Sequence, residues 1–194
     1  MKIGIDLDGI LCDVVPSIKK VLADLGYKLP FSYVNRDWGW TDSGLPPDAL
    51  DKAWDSIVKI PNFWESIPPM DDVKPMYYFW KQYKDVYDFY FITSRPETEG
   101  RTVRQQSVNW LMKYFNTSGN IDVLAVENAH RKAEILEALN INYFIDDFTK
   151  TVVTCMSKFP KCKSYLRNQP WNESDHVHGI KRVNDITEFF NEIK

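Results

Sequence analysis

No run of lysine or arginine in this sequence is longer than two residues. With a formal net charge of -3 and a pI near 5.6, the chain repels polyphosphate backbones and anionic lipid surfaces. That excludes a general nucleic-acid binder or a membrane-surface protein. Cysteine is also scarce. Cys12, Cys155 and Cys162 form an odd, widely spaced set, which argues against a secreted disulfide framework and fits the reduced cytoplasm. A zinc site from Cys155, Cys162, His176 and His178 is disfavoured, because six residues separate the two cysteines, outside usual ligand spacing. No stretch approaches the roughly 18 apolar residues of a membrane span. The first residues alternate apolar and polar instead of forming a signal peptide. The tripeptides at Asn116 and Asn172 match a glycosylation pattern that carries no meaning without secretion. Internal repeats and low-complexity tracts are missing too.

What is abundant is aromatic: 14% of residues, with 7 Trp, so rings must pack a core or line a site. The length suits one domain with a modest insertion. Ile3, Ile5 and Leu7 alternate with Gly4, Asp6 and Asp8, the period of a strand. Val14, Ile18, Val21, Leu22 and Leu25 follow at helical spacing and stop at Gly26. Residues 27–47 read as loop around Asp37-Trp38-Gly39-Trp40, then Leu50, Trp54 and Ile57 mark a second helix. The stretch from Ile60 to Met70 holds Pro61, Pro68 and Pro69 and reads as a structured connection.

From about residue 72 strands and helices alternate: a helix over 73–84, a strand over 86–93, a helix over 98–115, a strand over 121–126, a helix over 131–139, a strand over 142–147, a helix over 148–157, a short strand over 164–167 and a last helix over 186–193. This rhythm predicts βαβ units and a parallel sheet covered on both faces. Residues 14–74 do not share it and read as a helical insertion after the first strand.

Ligands of open parallel sheets bind beyond the carboxyl ends of the strands. The first strand leaves Asp6 and Asp8 there, the second Thr93 and Ser94, and the fourth Asp146 and Asp147; Lys132 lies just inside the helix after the third. Each feature alone fits a turn, a cap or a solvated face. Together they place four acids, two hydroxyls and one lysine on one edge. Clustered carboxylates repel, and one lysine cannot balance four of them. All-oxygen ligands suit a hard cation, and Mg²⁺ with a phosphate ester is the usual solution. One acid would attack phosphorus while its neighbour moves the proton, and Thr93, Ser94 and Lys132 would hold the phosphoryl oxygens.

The set Ile-Asp-Leu-Asp-Gly (5–9), Phe-Ile-Thr-Ser-Arg (91–95), His-Arg-Lys-Ala-Glu-Ile-Leu (130–136) and Phe-Ile-Asp-Asp (144–147) resembles the four ordered motifs of the haloacid dehalogenase-like phosphatases. The resemblance implies an α/β, three-layer, Rossmann-like core of residues 1–13 and 75–194, with residues 14–74 as a small helical cap. It implies Asp6 as nucleophile and Asp8 as general acid/base. Mg²⁺ would be held by the side chains of Asp6 and Asp146 and the main-chain carbonyl of Asp8, with Asp147 acting from behind. The acid at position 8 favours a phosphatase over a dehalogenase. The Phe63-Trp64 stretch is similar to the cap of the 5'(3')-deoxyribonucleotidases, where aromatic residues stack on the base. Residues Ser164–Asn172 and Lys181–Asp185 resemble segments of bacterial and phage relatives.

Phe63 and Trp64 thus either stack on a base or seal cap against core, with Trp38 and Trp40 as further candidates. Arg95, standing where a proline is expected, is a candidate for a phosphate or second anion. Cys12 reads as packing. The expected function is hydrolysis of nucleoside monophosphates, without a membrane or a stable nucleic-acid partner, and a homodimer is left open. The alternatives are another phosphate ester, such as a sugar phosphate or nucleic-acid end, or an idle nucleotide-binding module.

Overall fold

The structure, a computed structural model, describes residues 1–30 and 32–193. Six strands form one all-parallel sheet: β1 (Lys2–Ile5), β2 (Asp88–Thr93), β3 (Asp122–Ala125), β4 (Tyr143–Asp146), β5 (Lys163–Arg167) and β6 (Lys181–Val183), in the order β3-β2-β1-β4-β5-β6. Parallel neighbours need long crossovers. These are supplied by α4 (Val103–Phe115), α5 (Ala129–Ala138) and α6 (Thr149–Lys158), while α7 (Ile186–Ile193) follows the last strand. Between β1 and β2 run α1 (Val14–Asp24), α2 (Ala49–Ile57), a 3₁₀ turn at Phe63–Glu65 and α3 (Val73–Tyr83). The expected α/β architecture with helical segments inserted after the first strand is the observed one. No helix among the described residues is long and apolar enough to cross a membrane.

The strand period of two sorts the core into two layers. Ile3 and Ile5 of β1, Phe89 and Phe91 of β2 and Ile145 of β4 pack toward α3, α4 and α7. Ile92 and Phe144 turn the other way, onto Ala133 and Leu136 of α5 and Cys155 of α6. Gly4 faces that second layer: a Cβ there would lie 3.0 Å from Phe144 and 3.3 Å from Ile92. Helices on both faces make three layers. Val14, Ile18 and Trp64 of the inserted segment share one buried cluster with Ile3 and Ile5 of β1 and Met76 of α3.

The outgoing and returning ends of that segment are paired, with Asp13 N donating to Pro68 O (2.9 Å) and Met70 N to Leu11 O (2.7 Å). Arg167, at the end of β5, reaches the same neck. Its Nη1 donates to the carbonyls of Gly9 (2.7 Å) and Ile10 (2.9 Å), and its Nη2 to Asp72. Asp72 Oδ1 in turn accepts from Ile186 N, the first residue of α7 (2.7 Å).

Three local differences from expectation have plain causes. β1 stops at Ile5 because Leu7 O accepts from Leu11 N and Cys12 N, each at 2.8 Å, and Gly9 takes φ 70°, which together make a turn. α4 starts at Val103, where Thr102 Oγ1 accepts from Gln105 N (3.2 Å) and caps it; the preceding residues stay irregular. β6 escapes pattern recognition because Lys-Arg-Val is short and charged; its partners are Tyr165, Leu166 and Arg167.

Candidate active site

The order of strands reverses between β1 and β4, the place where such sheets open to ligand. Ile5 is in register with Ile145, so Asp6 and Asp146, the next residue of each strand, lie abreast at the carboxyl edge. Asp6 N donates to Ile145 O (3.0 Å) and fixes the nucleophile candidate in that position. Lys132, one turn into α5, brings its ammonium between them, 2.8 Å from Asp6 Oδ1 and 2.7 Å from Asp146 Oδ2. Asp146 Oδ1 accepts from Phe148 N (2.8 Å). Asp147 Oδ2 accepts from Trp171 Nε1 (2.8 Å), and its carbonyl from Asn172 Nδ2 (2.7 Å).

Asp6, Lys132, Asp146 and Asp147 are all buried. Burial pushes Asp6 up to about 7, with Lys132 opposing and Asp146 and Asp8 reinforcing the shift. Burial, then Asp146 and Asp6, lifts Asp147 well above the usual carboxylate range. Burial works against the charge on Lys132, but Asp146 and Asp6 outweigh it and raise its basicity. One ammonium therefore faces three buried carboxylates whose oxygens lie within 4.8 Å of one another. Asp6 Oδ1 has Lys132 beside it but no aligned hydrogen bond. A hard divalent cation fits this donor set, which supplies buried oxygen ligands and surplus negative charge. The close triad is Asp6, Asp146 and Asp147, while the side chain of Asp8 is engaged elsewhere.

That engagement corrects the reading of Arg95. Instead of presenting a free cation to an anionic ligand, Arg95 grips Asp8 with both arms: Nε to Oδ2 at 2.8 Å and Nη2 to Oδ1 at 2.6 Å. Its Nη1 donates to Ser107 Oγ on α4 (3.0 Å), and its guanidinium lies 4.7 Å from the Trp64 ring centroid. The Arg95 side chain is 0% exposed and that of Asp8 17%. A planar fork matched to a carboxylate is what arginine provides and lysine does not.

Trp64 lines the cavity beside the acids and also ties the inserted segment down. It is buried, donates Nε1–H to Pro96 O (2.9 Å) and N–H to Gln106 Oε1 (3.0 Å), and so fastens the inserted segment to the core. Phe63 packs edge-on against it and, like Trp40, is buried away from the cavity.

The cavity above the acids measures about 430 Å³. Asp6, Asp8, Ser94, Lys132, Asp146 and Asp147 form its floor, and Trp38, Trp54, Trp64, Val14 and Phe148 its apolar walls. Asn128, His130 and Lys150 stand at its rim. Thr93, at the end of β2, is fully buried, and its Oγ1 has no hydrogen-bond partner.

Trp38 keeps its place among the candidates, packed 5.2 Å from Trp171. Trp54 was missed because its helical spacing reads as core. Trp171 and Asn172 were missed because nothing in a loop of Gln-Pro-Trp-Asn names Asp147 as the group it holds.

No family model matches the sequence, and no curated protein does. Solved structures do match in fold. A protein assigned as a beta-phosphoglucomutase from Thermotoga maritima superposes with a TM-score of 0.55 at 17% identity, covering 99% of this chain and 97% of that one. CbbY from Rhodobacter sphaeroides, solved in complex with phosphate, gives 0.55 at 12% over 97% and 94%. A HAD hydrolase of family IA, variant 3, from Entamoeba histolytica gives 0.53 at 11% over 99% and 98%. At these identities the likeness is one of fold, and the fold of this chain is that of the haloacid dehalogenase-like hydrolases.

Proposed function

We propose that the chain is a Mg²⁺-dependent phosphatase that hydrolyses nucleoside monophosphates, with 5'(3')-deoxyribonucleotides as the expected substrates. Residues 14–74 would act as a cap over a catalytic core of residues 1–13 and 75–194. The observation that carries this reading is the Asp6–Asp146–Asp147 cluster around Lys132, set at the floor of a cavity that is walled by Trp38 and Trp54.

Asp6 carboxylate attacks phosphorus and forms an aspartyl-phosphate as the ester P–O bond breaks; Asp8 gives its proton to the departing oxygen. Water then attacks the aspartyl-phosphate and passes a proton to Asp8. The bond from Asp6 to phosphorus breaks, releasing inorganic phosphate and restoring both acids. Lys132 and Ser94 neutralise and orient the phosphoryl oxygens. A cation held by Asp6 and Asp146, with Asp147 beside them, supplies the charge stabilisation that several carboxylates otherwise deny to a phosphate. Trp38 and Trp54 offer flat faces to a base, a contact worth about 1–3 kcal/mol.

A sugar phosphate is the rival substrate, favoured by the polar rim of Asn128, His130 and Lys150. Turnover of a panel of ribo- and deoxyribonucleoside monophosphates and hexose phosphates, with MgCl₂ and with EDTA, decides between them. Selective, EDTA-sensitive release of phosphate from nucleotides is expected. Preference for hexose phosphates would remove the nucleotide reading, and full activity in EDTA would remove the metal.

A further inference from the structure

The residue after the second motif's hydroxyls, Arg95, has an arrangement that phosphate recognition does not explain. All three guanidinium nitrogens are committed to protein oxygens: two to Asp8 and one to Ser107. Trp64 covers its face, and its side chain has no exposed surface, so little of it is left for a ligand. Asp8, by contrast, lines the cavity and is partly open to it. An exposed carboxylate on a turn can adopt several rotamers, and proton transfer needs one of them. A fork that binds both oxygens selects a single carboxylate plane.

Behind the fork the support is continuous. Trp64 is bonded to Pro96 O and to Gln106, and Gln106 Nε2 donates to Thr98 Oγ1 (2.9 Å) and Arg101 O (2.5 Å). The inserted segment therefore braces the arginine from one side and α4 from the other.

We propose that Arg95 is the positioning residue for Asp8, held in place by Trp64 of the inserted segment and Ser107 of α4, and that it does not bind substrate. The inference rests on the acid/base role proposed for Asp8. While Asp8 carries the proton, the protonated oxygen gives up its bond from Arg95; it regains that bond as the proton passes to the leaving oxygen, and gives it up again as the carboxylate takes a proton from water. Arg95 itself gains and loses no proton.

The test is a double-mutant cycle with p-nitrophenyl phosphate as substrate and inorganic phosphate as inhibitor, in the full chain with MgCl₂. Arg95→Met is expected to lower kcat by about 10- to 100-fold, the range of a misplaced catalytic group, with the inhibition constant of inorganic phosphate unchanged. In an Asp8→Asn background the same change is expected to have almost no further effect, because Arg95 acts only through Asp8. A rise in the phosphate inhibition constant with kcat retained would restore the anion-binding reading. An equal loss of kcat in both backgrounds would also overturn the proposal. Asp8→Asn alone separates the two layers of inference: if that variant keeps wild-type turnover, the acid/base role fails first. Should Arg95→Met not fold, Ser107→Ala, which deletes one bond to the same guanidinium, must reproduce the pattern at a few-fold amplitude. Unchanged kcat in that variant, with Arg95→Met unfolded, would count against the proposal.

Discussion

Lys132 on the floor of the cavity is flanked by two carboxylates at 2.7 and 2.8 Å, whereas the loop that brings Trp38 to the wall leaves four buried side-chain polar atoms without partners. The indole N–H groups of Trp38 and Trp40 and both amide atoms of Asn35 are buried and unbonded. Trp40 also sits at φ 54°, a left-handed conformation that costs an L-residue about 1–2 kcal/mol. The floor has unbonded atoms as well, Asp6 Oδ1 and Thr93 Oγ1, but these stand at neighbouring strand ends, whose positions the sheet fixes. The floor is thus preorganised by topology, and the wall is finished by whatever fills the space. Changes to the floor should therefore cost turnover or stability, and changes to the wall should cost affinity.

The largest effect should come from Asp6→Asn, which removes the proposed nucleophile and should lower kcat by about 10⁴-fold or more, while inorganic phosphate still binds by calorimetry. Turnover within tenfold of wild type would place the chemistry elsewhere. Next, Lys132→Met strands the buried carboxylates, a loss of the order of 3–5 kcal/mol for a broken buried pair; urea denaturation in EDTA reads it, and added MgCl₂ should recover part. Gly9→Ala tests the turn beneath the acids. A Cβ would lie 2.2 Å from Asp147 Oδ2 at φ 70°, so a stability loss of about 2 kcal/mol or more is expected once backbone strain and displacement are combined.

On the wall, Trp54→Ala should raise KM for nucleoside monophosphates by roughly 5- to 150-fold, the equivalent of one stacked base, and leave phosphate inhibition alone. A fall in kcat with KM unchanged would erase the distinction between floor and wall.

The smallest effect concerns pH. Asp6 and Asp147 titrate higher in the folded chain than in the unfolded one. Their protonation therefore favours the metal-free fold below about pH 4, and that contribution is lost as pH rises through about 7. Because a cation competes with those protons, MgCl₂ should raise the melting temperature more at about pH 8 than at about pH 5. Equal shifts at both would mean that the cation binds outside the cluster.

Much of the floor could be read in the chain because two periodicities determine it. Alternation puts Asp6 and Asp146 at strand ends, and parallel strands put those ends on one edge, so no contact had to be guessed. Lys132 followed from lying one turn into a helix that starts at the same edge. Arg95 could be seen as unusual, yet its partner could not be named: spacing shows that a cation is near the site but not which anion claims it. Trp54 joins Trp64 on the cavity lining for a related reason. Helical spacing made one look like core, and resemblance made the other look like a platform, while burial depends on how the inserted segment folds back. The paired ends of that segment, Asp13 with Pro68 and Leu11 with Met70, leave no trace in hydrophobic pattern.

The bonds that Arg167 sends to Gly9 and Ile10, and through Asp72 to the first residue of α7, have a practical consequence for anyone reshaping this chain. The last helix contributes no residue to the cavity wall. It anchors one end of a tether whose other end holds the backbone just after Asp6 and Asp8. Trimming or grafting within residues 186–193 removes the buried side chains of Ile186, Phe189, Phe190 and Ile193 and should cost stability, and loosening the tether should also disturb Asp6 and Asp8.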